Sequence, residues 1–191
     1  MHTIPVDFFP DYLPEALATQ LLNSLNQELN WSQESLVLYG RSIPFPRLMA
    51  WYGNEGTSYR FSGKTYHPQP LNAPLKELID LLQYDFGKPF NAVLANAYRS
   101  GSDSMSWHSD DEPELGPEPF IASISLGASR TFRMRHKGDK VSQAWILNHG
   151  SLLIMKGRSQ QDWEHCIPKT KKTADLRINL TFRFIIPASQ L

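Results

Sequence analysis

Leu17, Leu21, Leu25 and Leu29 recur every four residues behind Pro14. That spacing predicts an amphipathic helix over residues 14–30, with the proline in its first turn. A second apolar stripe, Leu75, Leu78, Ile79 and Leu82, predicts a helix from Pro74 to Tyr84, with Asn72 at its N-cap and Gly87 just beyond its end. From Phe90 onward the period changes. Short runs rich in β-branched and aromatic residues follow one another: FNAVLANAY, FIASISLG, RTFRMRH, AWILNHGSLLIM, DWEHCI and LRINLTFRFII. Turn-forming segments separate them, so a run of strands follows a run of helices. That order predicts an α+β, mainly β fold: a double-stranded β-helix, or jelly roll, with the N-terminal helices packed outside it. The Pro-rich stretches are short enough to be loops and no repeat is present, so one domain over 1–191 is expected, with the helices in 1–89 and the core in 90–187.

Three segments of this pattern carry candidate chemistry. In Arg177-Ile178-Asn179-Leu180-Thr181-Phe182-Arg183 polar and apolar residues alternate strictly, placing Arg177, Asn179, Thr181 and Arg183 on one face of a strand. Such alternation usually marks a strand with one solvated face. Two arginines on that face also suit forked binding of carboxylates, and their long arms could bracket a dicarboxylate. In Trp107-His108-Ser109-Asp110 a histidine and a carboxylate two residues apart project to the same side of an extended segment. If His165, 57 residues further on, lies on a neighbouring strand, the three make the two-histidine, one-carboxylate face that leaves positions open on iron(II). On spacing alone, the first pair reads equally as a surface turn and His165 as a strand residue. Asn96 and Tyr98 share a face at the end of FNAVLANAY, where both could hydrogen-bond a bound acid or simply form a turn and pack the rim.

Composition narrows the setting. Nineteen Lys and Arg balance nineteen Asp and Glu, so no global field draws in nucleic acid, and such a partner would need a local basic patch. Arg130, Arg133, Arg135, His136 and Lys137 form one candidate patch, Lys169, Lys171 and Lys172 a second, and Arg47 is a further phosphate candidate. The single cysteine, Cys166, excludes an internal disulfide and a Cys-rich zinc motif. Alternation turns it away from the candidate ligand His165 and into the core. Trp51, Trp107, Trp145 and Trp163 read as core or rim packing, and Asp111 as a solvated neighbour. With neither a basic leader nor a run of ~18 apolar residues, a soluble, intracellular monomer without membrane contact is expected.

In chain order, Asn96-x-Tyr98, His108-x-Asp110, His165 and Arg177-x-Asn179-x-Thr181-x-Arg183 resemble the signature of the AlkB family of nucleic-acid dealkylating dioxygenases. The likeness extends from about Leu38 to Ile185, through SYRFSG, HSDDE, ASISLGASRTF and HGSLLIM. It implies iron(II) on His108, Asp110 and His165. It also implies 2-oxoglutarate chelating that iron and reaching Arg177, Arg183, Asn96 and Tyr98, with Asn179 beside them, and O2 as second co-substrate. The implied reaction is oxidative demethylation of N1-methyladenine- or N3-methylcytosine-type lesions in DNA, with RNA as the rival substrate. The resemblance to the duplex-acting branch makes part of 1–89 a nucleotide-recognition lid. It assigns Phe61, with His108, to stacking a flipped base, Tyr59 and Glu112 to its edge, and Tyr39 to the place of an aromatic finger filling the gap. That branch carries phenylalanine at the finger, so this chain departs from it there. The resemblance places the protein in the cytoplasm of a bacterium or the nucleus of a eukaryote. Two readings of other classes stand beside it: a non-catalytic nucleic-acid-binding jelly roll, and a zinc hydrolase indifferent to 2-oxoglutarate and oxygen.

Overall fold

A computed structural model describes residues 3–38, 40–61, 64–172 and 175–186. The first helix, α1 (Glu15–Glu28), buries Ala18, Leu21 and Leu25, and Leu29 is buried just past its end. Leu17, expected on the same stripe, is 38% exposed. The reason is geometric: residues four apart drift about 40° around a helix, so a long every-fourth series winds off the buried face. The second helix, α2 (Ala73–Phe86), buries Leu75, Leu78, Ile79 and Leu82. Asn72 Oδ1 accepts from Leu75 N at 3.2 Å, and Gly87 ends the helix with φ +61°, a conformation that costs glycine little.

The strands form two antiparallel layers. A six-stranded sheet has the order β1 (Val6–Phe9), β12 (Leu152–Met155), β9 (Ile121–Gly127), β14 (Arg177–Arg183), β7 (Ala92–Tyr98), β4 (Leu48–Gly53). A four-stranded sheet has the order β11 (Gln143–Leu147), β10 (Arg130–His136), β13 (Trp163–Ile167), β8 (Met105–His108). Two hairpins, β2–β3 (Ser35–Leu38, Arg41–Pro44) and β5–β6 (Tyr59–Phe61, Lys64–Tyr66), complete the set. This is the expected jelly roll with helices outside. The large sheet draws β1 and β4 from before residue 90, where the sequence pattern had shown only helices. The run 144–155, expected as one segment, divides between the sheets: Gly150, at φ +78°, and the bond from Ser151 Oγ to Asn148 O turn the chain from β11 in the small sheet to β12 in the large one.

Apolar side chains fill both sides of the large sheet. Against α1 and α2 it presents Val93, Ala95, Ile124, Ile178, Leu180 and Phe182. Between the two sheets lie Tyr98, Ile121, Phe132, Met134, Leu153 and Met155. β14 is therefore central and buried along its whole length, not a half-exposed strand. Its polar face looks into the space between the sheets, and that face builds the site.

Candidate metal and acid site

His108 ends β8 and is paired across the ladder with His165 on β13, so that their ring centroids lie 4.2 Å apart. Asp110 follows two residues after His108, and ligand atoms of the three side chains all lie within 4.8 Å of one another. The structure thus brings together the triad expected from spacing. His108 Nδ1 lies 2.9 Å from Ser106 O, a carbonyl that can only accept, so Nδ1 is the donor, and Nε2 lies 3.7 Å from Asp110 Oδ1. Phe132 stacks on the His165 ring at 5.3 Å and 26°. His165 Nδ1 is buried with no hydrogen-bond partner among the described residues.

Electrostatics keep Asp110 ionised and His165 uncharged. Burial pushes the Asp110 carboxyl up, but the Arg183 guanidinium and the nearby His165 and His108 outweigh it and hold it at about 2. Burial lowers His165, and the His108 and Arg183 charges deepen the effect against the pull of Asp110, to about 3. Two imidazoles and one carboxylate with ligand atoms this close together are the donor set that a divalent transition metal requires. The residues fit iron(II).

The facing wall comes from the large sheet. Arg177, 1% exposed, donates from Nη2 to Ser125 Oγ at 2.9 Å, and its guanidinium lies 5.1 Å from the Tyr98 ring centre. Its Nε and Nη1 are buried with no partner among the described residues. Burial lowers this guanidinium to about 10, still protonated at neutral pH. Buried donors are normally satisfied, so two orphaned nitrogens on one cation mark a place for an anion. Arg183, expected to act with Arg177 as an equal, sits differently: its Nη2 donates to Asp110 Oδ2 at 2.6 Å, at the metal end. Asn96 and Tyr98 line the same cavity.

Asn179 lines the cavity with its amide already engaged, Nδ2 by Ser123 Oγ and Ile124 O and Oδ1 by Thr181 Oγ1. Arg47 is 3% exposed, donates from Nε to Asn96 Oδ1 at 2.8 Å and lies over Phe45, so it braces the site rather than standing on the surface to meet phosphate. Arg130 leaves the first basic patch as well, because it is 2% exposed and donates to the carbonyls of Ser100, Asp103 and Pro168. Arg135 pairs with Glu164 and lies 4.1 Å over the Trp107 ring. Lys137 reaches Gln160 O and Asp111. Arg133, Lys169, Lys171 and Lys172 remain exposed.

Cys166 is buried on β13 next to His165, and burial pushes its thiol up. It belongs to none of the apolar clusters; it is paired across the ladder with Arg133. Trp51 and Trp163 are buried, and Asp111 is exposed. Glu112 is half-buried ahead of a short 3-10 turn, Pro113–Leu115. Tyr59 and Phe61 fall on β5, their side chains outside the described set, and Tyr39 lies outside the described residues. Sequence reasoning did not single out Ser123, Ser125 or Gln160, whose roles depend on cross-strand partners that no local pattern signals.

The sequence profile of the 2OG-Fe(II) oxygenase superfamily matches residues 5–183. The chain belongs to that superfamily. Within it, this oxygenase groups with the AlkB homologues. It is 41% identical over 192 residues to human alpha-ketoglutarate-dependent dioxygenase alkB homolog 3, covering 95% of this chain and 66% of that protein. To the human DNA oxidative demethylase ALKBH2 it is 37% identical over 183 residues, covering 90% of this chain and 70% of that one. The chain spans about two thirds of the length of the alkB homolog 3 relatives it matches. The solved structure of OsALKBH1 superposes with a TM-score of 0.69 over 96% of this chain and 99% of that one; at 20% identity this speaks to the fold alone. Among the described residues no helix is long and apolar enough to cross a membrane.

Proposed function

We propose that this oxygenase removes methyl groups from N1-methyladenine- and N3-methylcytosine-type lesions in DNA, acting as a soluble monomer where the cell keeps its DNA: the cytoplasm of a bacterium, the nucleus of a eukaryote. The observation that carries the reading is the metal-ready triad facing a buried arginine with two unpartnered nitrogens. In this reading His108, Asp110 and His165 hold iron(II), which when bound leaves positions for oxygen and a chelating co-substrate and supplies the oxidising chemistry. Arg177 takes the carboxylate of 2-oxoglutarate remote from the metal, since Arg183 is committed to Asp110 at the metal end. Tyr98 packs against Arg177, and Asn96, held by Arg47, completes that wall. Burial of Asp110, His165, Arg177, Asn96 and Tyr98 limits water at that wall and fixes the co-substrate before the methyl group arrives, while half-buried His108 faces the entrance.

The balance closes with no protein nucleophile. One oxygen atom of O2 enters the methyl C–H bond and the other ends in succinate as 2-oxoglutarate loses carbon dioxide. The resulting N–CH2OH group then releases formaldehyde: its hydroxyl proton passes to solvent and the C–N electron pair returns to the ring nitrogen as a lone pair. The target base must be extruded or single-stranded to reach a recessed centre. Phe61 and His108 stack it, Tyr59 and Glu112 meet its edge, and the exposed Arg133, Lys169, Lys171 and Lys172 meet phosphates. The homologues named as DNA oxidative demethylases support DNA as the substrate.

The deciding assay is mass spectrometry of methylated DNA and RNA oligonucleotides with iron(II), ascorbate and oxygen, with and without 2-oxoglutarate. Methyl loss from DNA only with 2-oxoglutarate is expected. Consumption of 2-oxoglutarate with loss from RNA alone would move the substrate, and methyl loss without 2-oxoglutarate would overturn the reaction class. Tyr39→Ala should slow repair of duplex DNA more than of single strands; equal losses on both would remove Tyr39 from the finger role.

A further inference from the structure

Gln160 lies in none of the motifs that marked the site, yet it is 1% exposed and ends the short 3-10 turn Gly157–Ser159 between β12 and β13. Its side-chain Oε1 accepts the backbone N–H of Asp110 at 2.9 Å. Its Nε2 donates to Ser159 Oγ at 3.1 Å and lies 3.4 Å from Met155 Sδ. The orientation is determined by chemistry: turned the other way, the amide would set its NH2 group against the Asp110 N–H. The main chain of Gln160 is also held, its carbonyl accepting from Lys137 Nζ at 3.0 Å. One residue earlier, Ser109 Oγ donates to Trp163 O at 2.8 Å. Two ties thus fasten the Ser109–Asp110 segment to the chain that leads into β13, the strand of His165.

These ties oppose a specific pull. The Asp110 carboxylate is drawn toward the large sheet by Arg183 at 2.6 Å, whereas the two histidines that must share a metal with it stand on the small sheet. We propose that Gln160 is a positioning residue for the metal centre: by holding the Asp110 N–H it keeps the carboxylate in register with His108 and His165 against Arg183. Outer partners of metal ligands set affinity in this way, and removing one weakens binding by about 10- to 100-fold. Gln160 reaches its ligand through the main chain, so the loss should appear in metal binding itself, before any co-substrate is present.

The inference rests on the metal-site reading above, and its test separates the two. Manganese(II) binding to the metal-free protein is titrated by loss of the free-ion EPR signal, without 2-oxoglutarate, alongside thermal unfolding. Gln160→Met, similar in size but with no acceptor, should bind about tenfold or more weakly. Gln160→Glu, which keeps an acceptor oxygen at the same reach, should bind at least as tightly as the parent. Arg158→Met removes an exposed ion pair to Asp162 in the same turn and should stay within about threefold. If Gln160→Met does not fold, Gln160→Asn, whose oxygen is withdrawn by one methylene, replaces it, and a loss of at least about threefold is expected. Parent-like affinity in Gln160→Met or Gln160→Asn, even with a lowered melting temperature, overturns the positioning role and leaves the metal site standing. No binding to the parent overturns both.

Discussion

The two faces of β14 are both buried and are built from alternate residues of one seven-residue strand, yet they do opposite things. Ile178, Leu180 and Phe182 pack under the helices, where close packing is the only requirement. Arg177, Asn179, Thr181 and Arg183 face the cavity between the sheets, where each polar group must find a partner or await one. Asn179 and Thr181 satisfy each other and β9; Arg183 pairs with Asp110; among the described residues Arg177 is left with two unpartnered nitrogens. The comparison shows that stability resides on one face and capacity to bind on the other, so single substitutions should separate them.

The largest effect should come where the faces meet the metal. Asp110→Ala removes a ligand and leaves Arg183 buried without its carboxylate, so metal binding should vanish together with about 3–5 kcal/mol of stability. Urea unfolding and a metal titration would check both, and a stable variant that still binds metal would contradict the site. On the apolar face, Leu180→Ala should cost about 2–5 kcal/mol while the variant, folded in the cold, keeps its metal affinity; loss of both would mean that the faces are not separable. Arg177→Met reverses this pattern. Affinity for 2-oxoglutarate should fall on the order of 100-fold, the effect of losing a buried charged hydrogen-bonding partner, while stability holds or rises because a costly buried cation has been exchanged for an apolar chain. Calorimetry with 2-oxoglutarate would show it, and unchanged affinity would dismiss Arg177 as the carboxylate anchor. The smallest effect belongs to the support behind the apolar face: Asn72→Ala removes the α2 cap and should lower stability by about 1 kcal/mol, visible in thermal unfolding with binding untouched.

Much of this could be read from the chain before folding. Asn72, Gly87 and the α2 stripe are local signals, because helix caps and periodicity act within a few residues. The triad was legible in part for the same reason: His108 and Asp110 share a side of an extended segment whatever surrounds it. Leu17 was misread because a four-residue repeat is not the 3.6-residue period of a helix. β1 and β4 were missed because each is short and gains its identity only from partners, β1 from β12 and β4 from β7, distant in sequence.

What the sequence determined by itself was the alternation of β14, the nearness of His108 to Asp110, the caps, and a net charge of zero that confines any nucleic-acid contact to local patches. What tertiary structure decided was which polar residues are free to bind. Arg47, Arg130 and Arg177 are the same side chain in sequence; in the fold Arg47 braces Asn96, Arg130 locks three carbonyls, and Arg177 keeps open donors in the cavity between the sheets. Gln160, silent in sequence, holds the backbone of Asp110. The reason is that a donor's availability depends on the acceptors around it, and those come from strands dozens of residues away, whose placement only the packed sheets fix.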